Sequence, residues 1–223
     1  FLYCANDTEL YYVSGGKETR ISDELYSINF PTWSKDLRAT REAHCVFGEG
    51  ESYDDLTMYE AALPGAAIKI GKIDGAYALD ENFRYCAYKW DGTLYLTRKE
   101  GNSWGKREEI CENSLSFDID AGGRYLYYIA CDEGEYSGDL CRVPLSGGEE
   151  EVLLEDVTQF LLWDGGVYAL TDEAEAYVVR SEDDSERIEK DITGFYAAEG
   201  GIYLAGNNGK LYFYNGEVER VSR

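Results

Sequence analysis

Gly122-Gly123-Arg124-Tyr125-Leu126-Tyr127-Tyr128, followed by Gly138-Asp139-Leu140-Cys141-Arg142-Val143 and by Glu151-Val152-Leu153-Leu154, decides the fold. The two glycines permit the positive φ of a tight turn. The Tyr-rich run after them has the residue types of a strand. Ser116-Phe117-Asp118-Ile119 alternates apolar and polar residues just before the turn, and Ser146-Gly147-Gly148 turns the chain again before the leucines. Residues 114–156 thus read as four short strands: Ser116 to Ile119, Tyr125 to Cys131, Leu140 to Leu145, and Glu151 to Leu154. No stretch of useful length carries an apolar stripe at helical spacing, and the polar segment Asp36 to Ala43 reads as a loop.

The unit repeats. Its third strand returns as Glu9-Leu10-Tyr11-Tyr12-Val13, Thr93-Leu94-Tyr95-Leu96 and Lys210-Leu211-Tyr212-Phe213-Tyr214, and more weakly around Leu56 and Ala176. Between the anchors Leu10, Leu56, Leu94, Leu140, Ala176 and Leu211 the steps are 46, 38, 46, 36 and 35 residues. The glycine turn with its apolar-Tyr pair returns at Gly165-Gly166-Val167-Tyr168 and Gly200-Gly201-Ile202-Tyr203, while Asp80-Glu81-Asn82-Phe83-Arg84-Tyr85 fills the slot with what reads as a different turn. Repeats of roughly 40 to 50 residues made of four strands are the blades of β-propellers. The expectation is an all-β single domain, 1–223, of six blades of four-stranded antiparallel sheets: a partial one at 1–25, then 26–74, 75–113, 114–156, 157–191 and 192–223. Phe1-Leu2-Tyr3-Cys4 already reads as the inside of a strand. The first blade therefore lacks one strand here, and that strand, any further blades and any targeting segment are expected upstream.

Composition bounds the function. The 223 residues carry 44 acidic and 21 basic side chains, a net charge of −23, with 20 Tyr and 44 % hydrophobic residues. That field repels phosphate backbones and anionic lipid surfaces, which argues against nucleic acid and membrane-surface partners. No apolar run approaches the roughly 20 residues of a membrane-spanning helix.

Tyr127-Tyr128-Ile129, Gly138-Asp139-Leu140-Cys141-Arg142-Val143-Pro144-Leu145-Ser146-Gly147-Gly148 and Val152-Leu153-Leu154 resemble the repeat of bacterial TolB-like propellers, and more closely a bacterial propeller family without an assigned function. Cys141 stands where that repeat has Tyr, and 26–74 departs from it through an insertion from Pro31 to Glu42. The resemblance implies a six-bladed ring in an extracytoplasmic or envelope-associated protein. It transfers no catalytic residues.

Candidate chemistry is sparse. The six cysteines form no Cys-x-x-Cys pair and there is one histidine, so a zinc site is not expected. Cys4, Cys45, Cys86 and Cys131 fall in second strands and read as small buried hydrophobes. Cys131 and Cys141 flank one hairpin, and their pairing stays open. His44 and Cys45 are adjacent in a strand and point to opposite faces, so they are not a dyad. Gly-x-Ser-x-Gly, His-Glu-x-x-His and a phosphate-cradling glycine loop do not occur. Asp118-Ile119-Asp120-Ala121-Gly122 has part of a calcium loop but reads as a hairpin turn. Thr97 to Trp104 resembles the Asp-box turn of sialidase-type propellers, with Lys99 in place of the Asp. No cofactor or metal is predicted.

Loops between second and third strands remain. Glu49 to Asp55 carries Tyr53; Asp132 to Asp139 carries Asp132, Glu133 and Tyr136; a third carries Trp90 and Asp91. Propellers gather such loops at one end of the ring, and Tyr and Trp are good contact anchors. The expectation is a non-catalytic module binding a protein or peptide through these residues. The alternative is a carbohydrate-binding or glycoside-active propeller, which would need two carboxylates at a set separation across a cleft.

Overall fold

The computed structural model describes residues 2–6, 8–29, 43–52, 55–63 and 65–221. The insertion Pro31 to Glu42, Tyr53 and the His44 side chain lie outside this described part. The chain divides into two compact units, Phe1–Glu112 and Asn113–Arg223, at the boundary between two of the repeats read from the sequence.

Among the described residues the first unit holds three antiparallel sheets. β1 (Leu2–Ala5), β2 (Glu9–Ser14) and β3 (Lys17–Ser22) form a three-stranded one. β4 (Leu25–Asn29), β5 (Ala43–Glu49), β6 (Leu56–Leu63) and β7 (Ala67–Ile73) form a second. The third contains β8 (Tyr77–Leu79), β9 (Tyr85–Trp90) and β10 (Thr93–Glu100), with β11 (Ser103–Trp104) and β12 (Glu108–Cys111) both paired to β10. In the second unit, β13 (Ser114–Ile119), β14 (Tyr125–Ala130), β15 (Gly138–Pro144), β16 (Glu151–Trp163), β17 (Gly166–Thr171), β18 (Glu175–Ser181) and β19 (Asp184–Lys190) make one seven-stranded sheet. β20 (Ile192–Ala198), β21 (Gly201–Gly206), β22 (Leu211–Tyr214) and β23 (Val218–Arg220) make the last. Apart from β12, which pairs β10, the strands of each sheet follow chain order, as hairpin-linked strands do.

The seven-stranded sheet runs without a break across the junction expected between 114–156 and 157–191. Strand β16 does not stop after Leu154: Val157 pairs with Gly138 of β15 on one side and with Thr171 of β17 on the other. The physical reason lies at Asp156, whose φ of 57° kinks the chain without ending the strand. Aspartate tolerates this left-handed conformation better than most residues. No glycine or proline breaks the run.

Four of the five leucine anchors are buried, as their period implies, and Leu211 is half-buried. Leu10, Leu94 and Leu140 are 0 % exposed and Leu56 2 %. Among the described residues four apolar clusters form, and each draws on two consecutive repeats. Leu10 packs with Leu25, Cys45 and Phe47; Met58 and Ile70 with Leu79 and Cys86; Ile129 and Leu140 with Val167 and Val179; Leu170 and Ala176 with Phe195 and Ile202. One repeat cannot bury its faces alone, so stacking neighbours supplies the core.

The cysteines follow the expectation only in part. Cys45, Cys86 and Cys141 are buried, Cys111 and Cys131 half-buried, and Cys4 exposed. Cys4 lies on β1, which among the described strands has a partner on one side only. Cys131 and Cys141 do not face each other. Tyr128 stands opposite Cys141, and Cys131 lies against Gly138, where a side chain would run into the Ala130 carbonyl.

The turn at Asp80 is the same as the one at Asp120, contrary to the reading above. In each, one carboxylate oxygen accepts from the next Arg and Tyr amides, at 2.6 and 2.7 Å for Asp80 and at 2.6 and 2.7 Å for Asp120. The other oxygen meets the guanidinium of Arg84 or Arg124. Phe83 and Gly123 take the same positive φ, 51° and 60°. Asp120 is thereby committed to a turn, as expected for 118–122.

Candidate binding face

In each unit the loops between second and third strands are tied by main-chain hydrogen bonds to the junctions where the chain enters its next repeat. Leu25 N donates to Thr8 O at 2.7 Å and Ile192 N to Ala174 O at 2.8 Å. Asp172 N donates to Asp156 O at 2.9 Å, Asn207 N to Asp191 O at 2.8 Å, and Cys131 N to Asn113 O at 3.2 Å. Loops and junctions therefore share one end of their sheets, and the loops are anchored at their bases.

The residues singled out from sequence fall on this end in different ways. Trp90 ends β9, is half-buried against the core of the first unit, and has the Lys72 ammonium 5.2 Å from its ring centroid. Asp91 and Gly92 have φ of 52° and 79° and make a two-residue hairpin turn. Tyr136 is 87 % exposed, on a loop that also exposes Asp132 and Glu133. Glu135 N donates to Asp132 O at 3.2 Å, which closes the turn at that loop's tip. Trp90 and Asp91 belong to the first unit; Asp132, Glu133 and Tyr136 belong to the second.

Each unit has a cleft. In the first, about 320 Å³ is lined by the loop residues Glu49, Glu51 and Asp55 together with Glu24, Tyr59 and Lys72. Lys72 Nζ lies 2.6 Å from Asp55, and the Tyr59 ring stacks on Phe47 at 5.4 Å. In the second, about 480 Å³ is lined by Glu155, Asp156, Asp172, Glu173, Glu175 and Tyr177, among others. The Tyr177 hydroxyl donates to Glu175 at 2.7 Å and Arg187 reaches the other oxygen at 2.6 Å. The Tyr177 bond, then the Arg187 charge, hold the Glu175 carboxyl below its ordinary value; the bond to Glu175 in turn pushes the Tyr177 phenol up.

The sequence reading missed this second cleft. Its signal is a run of acids at the β16 kink, Glu155-Asp156, facing another in the loop one strand pair later, Asp172-Glu173. Residues 113–223 carry 24 acidic and 8 basic side chains, a net −16 of the chain's −23. The arrangement can attract cationic groups and place an aromatic ring beside them. Among the described residues no group of three or more His, Cys, Asp or Glu is placed to hold a metal ion.

No protein-family model matches this chain, and no curated protein matches it by sequence. Solved structures do. A structure from a study of two prolyl endopeptidases is 15 % identical, with a TM-score of 0.63 over 100 % of this chain and 41 % of the other. The β-propeller domain of the Trilobed protease from Pyrococcus furiosus is 16 % identical, with a TM-score of 0.55 over 100 % of this chain and 80 % of that one. An acylaminoacyl peptidase from Pyrococcus horikoshii is 13 % identical, with a TM-score of 0.52 over 82 % of this chain and 38 % of that chain. The chain thus spans about two-fifths of the length of the prolyl endopeptidase and of the acylaminoacyl peptidase it matches. At these identities the likeness shows the fold: antiparallel sheets of the β-propeller class.

Proposed function

We propose that this chain is a non-catalytic, six-bladed propeller domain of TolB-like type that binds a peptide or a protein segment with basic side chains. The reading counts β16 as the fourth strand of one blade and the first of the next, and the three-stranded sheet as a blade short of its first strand. The observation that carries the function is the acidic, tyrosine-bearing cleft of the second unit, set beside loops anchored at their bases. Fixed loops on a rigid scaffold bind without a large ordering cost. Carboxylates at the rim steer a cationic partner. Tyr136, Asp132 and Glu133 on an exposed loop of the same unit are added contacts in this reading, and Trp90 and Asp91 are a separate candidate contact of the first unit. The resemblance of the fold to peptidase propellers favours a peptide over a sugar as ligand, and the envelope location implied by the TolB-like repeat belongs to the same proposal.

A thermal-shift screen tests it, with lysine- and arginine-containing peptides, acidic peptides and neutral oligosaccharides as the arms. A ligand at 100 times its Kd stabilises by about 2.7 kcal/mol. A rise with basic peptides that is lost in Glu173→Gln/Glu175→Gln is the expected result. A rise with oligosaccharides alone would overturn the peptide reading in favour of the carbohydrate one.

A further inference from the structure

We propose that Lys210, Tyr212 and Arg220 form a seat for a carboxylate, filled by an aspartate or glutamate side chain of a peptide partner. The register of third and fourth strands carries this. In each repeat the residues just before and just after the anchor share one face of the third strand. The fourth strand sets one residue directly opposite the second of them. In three repeats the set is an acid, a Tyr or Thr, and a cation: Glu9, Tyr11 and Arg20; Asp55, Thr57 and Lys72; Glu175, Tyr177 and Arg187. Each cation reaches its acid, at 3.5, 2.6 and 2.6 Å. The two tyrosine hydroxyls donate to the acid as well, at 3.3 Å for Tyr11 and 2.7 Å for Tyr177. Side chains at these positions thus converge on one point, and a carboxylate occupies it.

Two repeats have no cation there: Glu109 stands opposite Tyr95, and Val152 opposite Cys141. The last repeat keeps the cation and lacks the acid. Arg220 is opposite Tyr212, but the residue before the anchor Leu211 is Lys210. Ammonium and guanidinium groups only donate, and a phenol can. Among the described residues Lys210 and Arg220 make no ion pair and the Tyr212 hydroxyl no hydrogen bond. Two cations at such close positions repel unless an anion lies between them.

The seat has room. Gly206 N donates to Lys210 O at 2.8 Å, and Gly206 brings no side chain to that rung. A Cβ there would lie 3.0 Å from Asn208 Oδ1 and 3.4 Å from the Tyr212 ring. The ring therefore leans toward the Lys210 end of its strand, the direction in which Tyr11 and Tyr177 reach their acids. Lys210 and Tyr212 are half-buried and Arg220 is exposed, so the groups are open to a partner. A carboxylate accepts charge-assisted bonds from both cations and one from the phenol. It is the group that the same set of positions holds three times elsewhere in the chain.

The inference shares with the proposed function only a peptide as partner; the seat lies on another repeat than Glu175 and takes the opposite charge, so either test can fail alone. The full chain, labelled with ¹⁵N, is titrated at constant low ionic strength with an end-blocked peptide Gly-Gly-Glu-Gly-Gly, with its Gln counterpart, and with inorganic phosphate. Lys210→Gln and Lys210→Glu are titrated alongside. The expected result is saturable amide shifts centred on 206–212 and 218–220 with the Glu peptide and none with the Gln peptide. Binding should weaken at least about tenfold in both variants. Lys210→Glu writes the acid of the other repeats into this one, so it should melt no lower than the parent chain, Arg220 having gained a partner. Absence of shifts with the Glu peptide, equal binding in the variants, or a response to phosphate alone would overturn the proposal. A lower melting temperature for Lys210→Glu would overturn it too.

Discussion

Glu60 has a side chain that is 0 % exposed, yet it faces a cation: Lys99 Nζ lies 2.7 Å from both of its oxygens, and Trp104 Nε1 donates to it at 3.1 Å. A buried carboxylate is tolerable only with such partners. Lys99→Met should therefore lower the unfolding free energy by about 3 kcal/mol in urea titration, and adding Glu60→Leu should restore much of the loss. Lys99 and Trp104 were visible in sequence as a defective Asp-box; their partner, 39 residues before Lys99, was not, because sequence periodicity says nothing about which side chains meet across sheets. Glu175 makes a second residue-scale prediction. Its folded carboxyl value is depressed from 4.5, so the stability it contributes is present above that value and is lost as pH falls through the folded one. Carboxyl NMR should show Glu175 titrating below 4.5, and Tyr177→Phe should move it upward.

At the scale of elements, the Asp80 and Asp120 clasps set the first turn of two sheets. Asp80 is the more buried, with its side chain 0 % exposed against 13 % for Asp120. Asp80→Ala strands the Arg84 and Tyr85 amides and should cost about 2–3 kcal/mol, with Asp120→Ala costing less, both read by chemical denaturation. The common turn was hidden because Phe83 stands where Gly123 stands, and a bulky residue at positive φ is not what a turn reader looks for. Strand positions were legible from the leucine period and the glycine turns. The continuity of β16 was not, since Glu155-Asp156 has the composition of a loop and only tertiary pairing on both sides of Val157 keeps it extended.

For the whole molecule, self-repulsion is the dominant long-range term at a net charge of −23. Screening should relieve it. Raising NaCl from about 0.02 to about 0.5 M shortens the Debye length several-fold and should raise the melting temperature by a few degrees in calorimetry. A binding face built on acidic loops should show the opposite trend, with affinity for a cationic peptide falling over the same range. The fold class was legible at this scale because a repeat multiplies a weak signal several times. The candidate face was legible only as loops, since each contributes different residues and no period links them. Tyr136 stood out as an aromatic residue on such a loop, and the cleft above Glu175 did not stand out.

Strand β16 bears on how the second unit comes apart. Inside each unit the other neighbouring sheets share side-chain clusters; between 114–156 and 157–191 a single backbone runs through both ladders. Tension on one ladder reaches the other through covalent bonds, and neither can pivot without breaking pairs at Val157. The joint is welded rather than bolted, and these two repeats should open in one cooperative step.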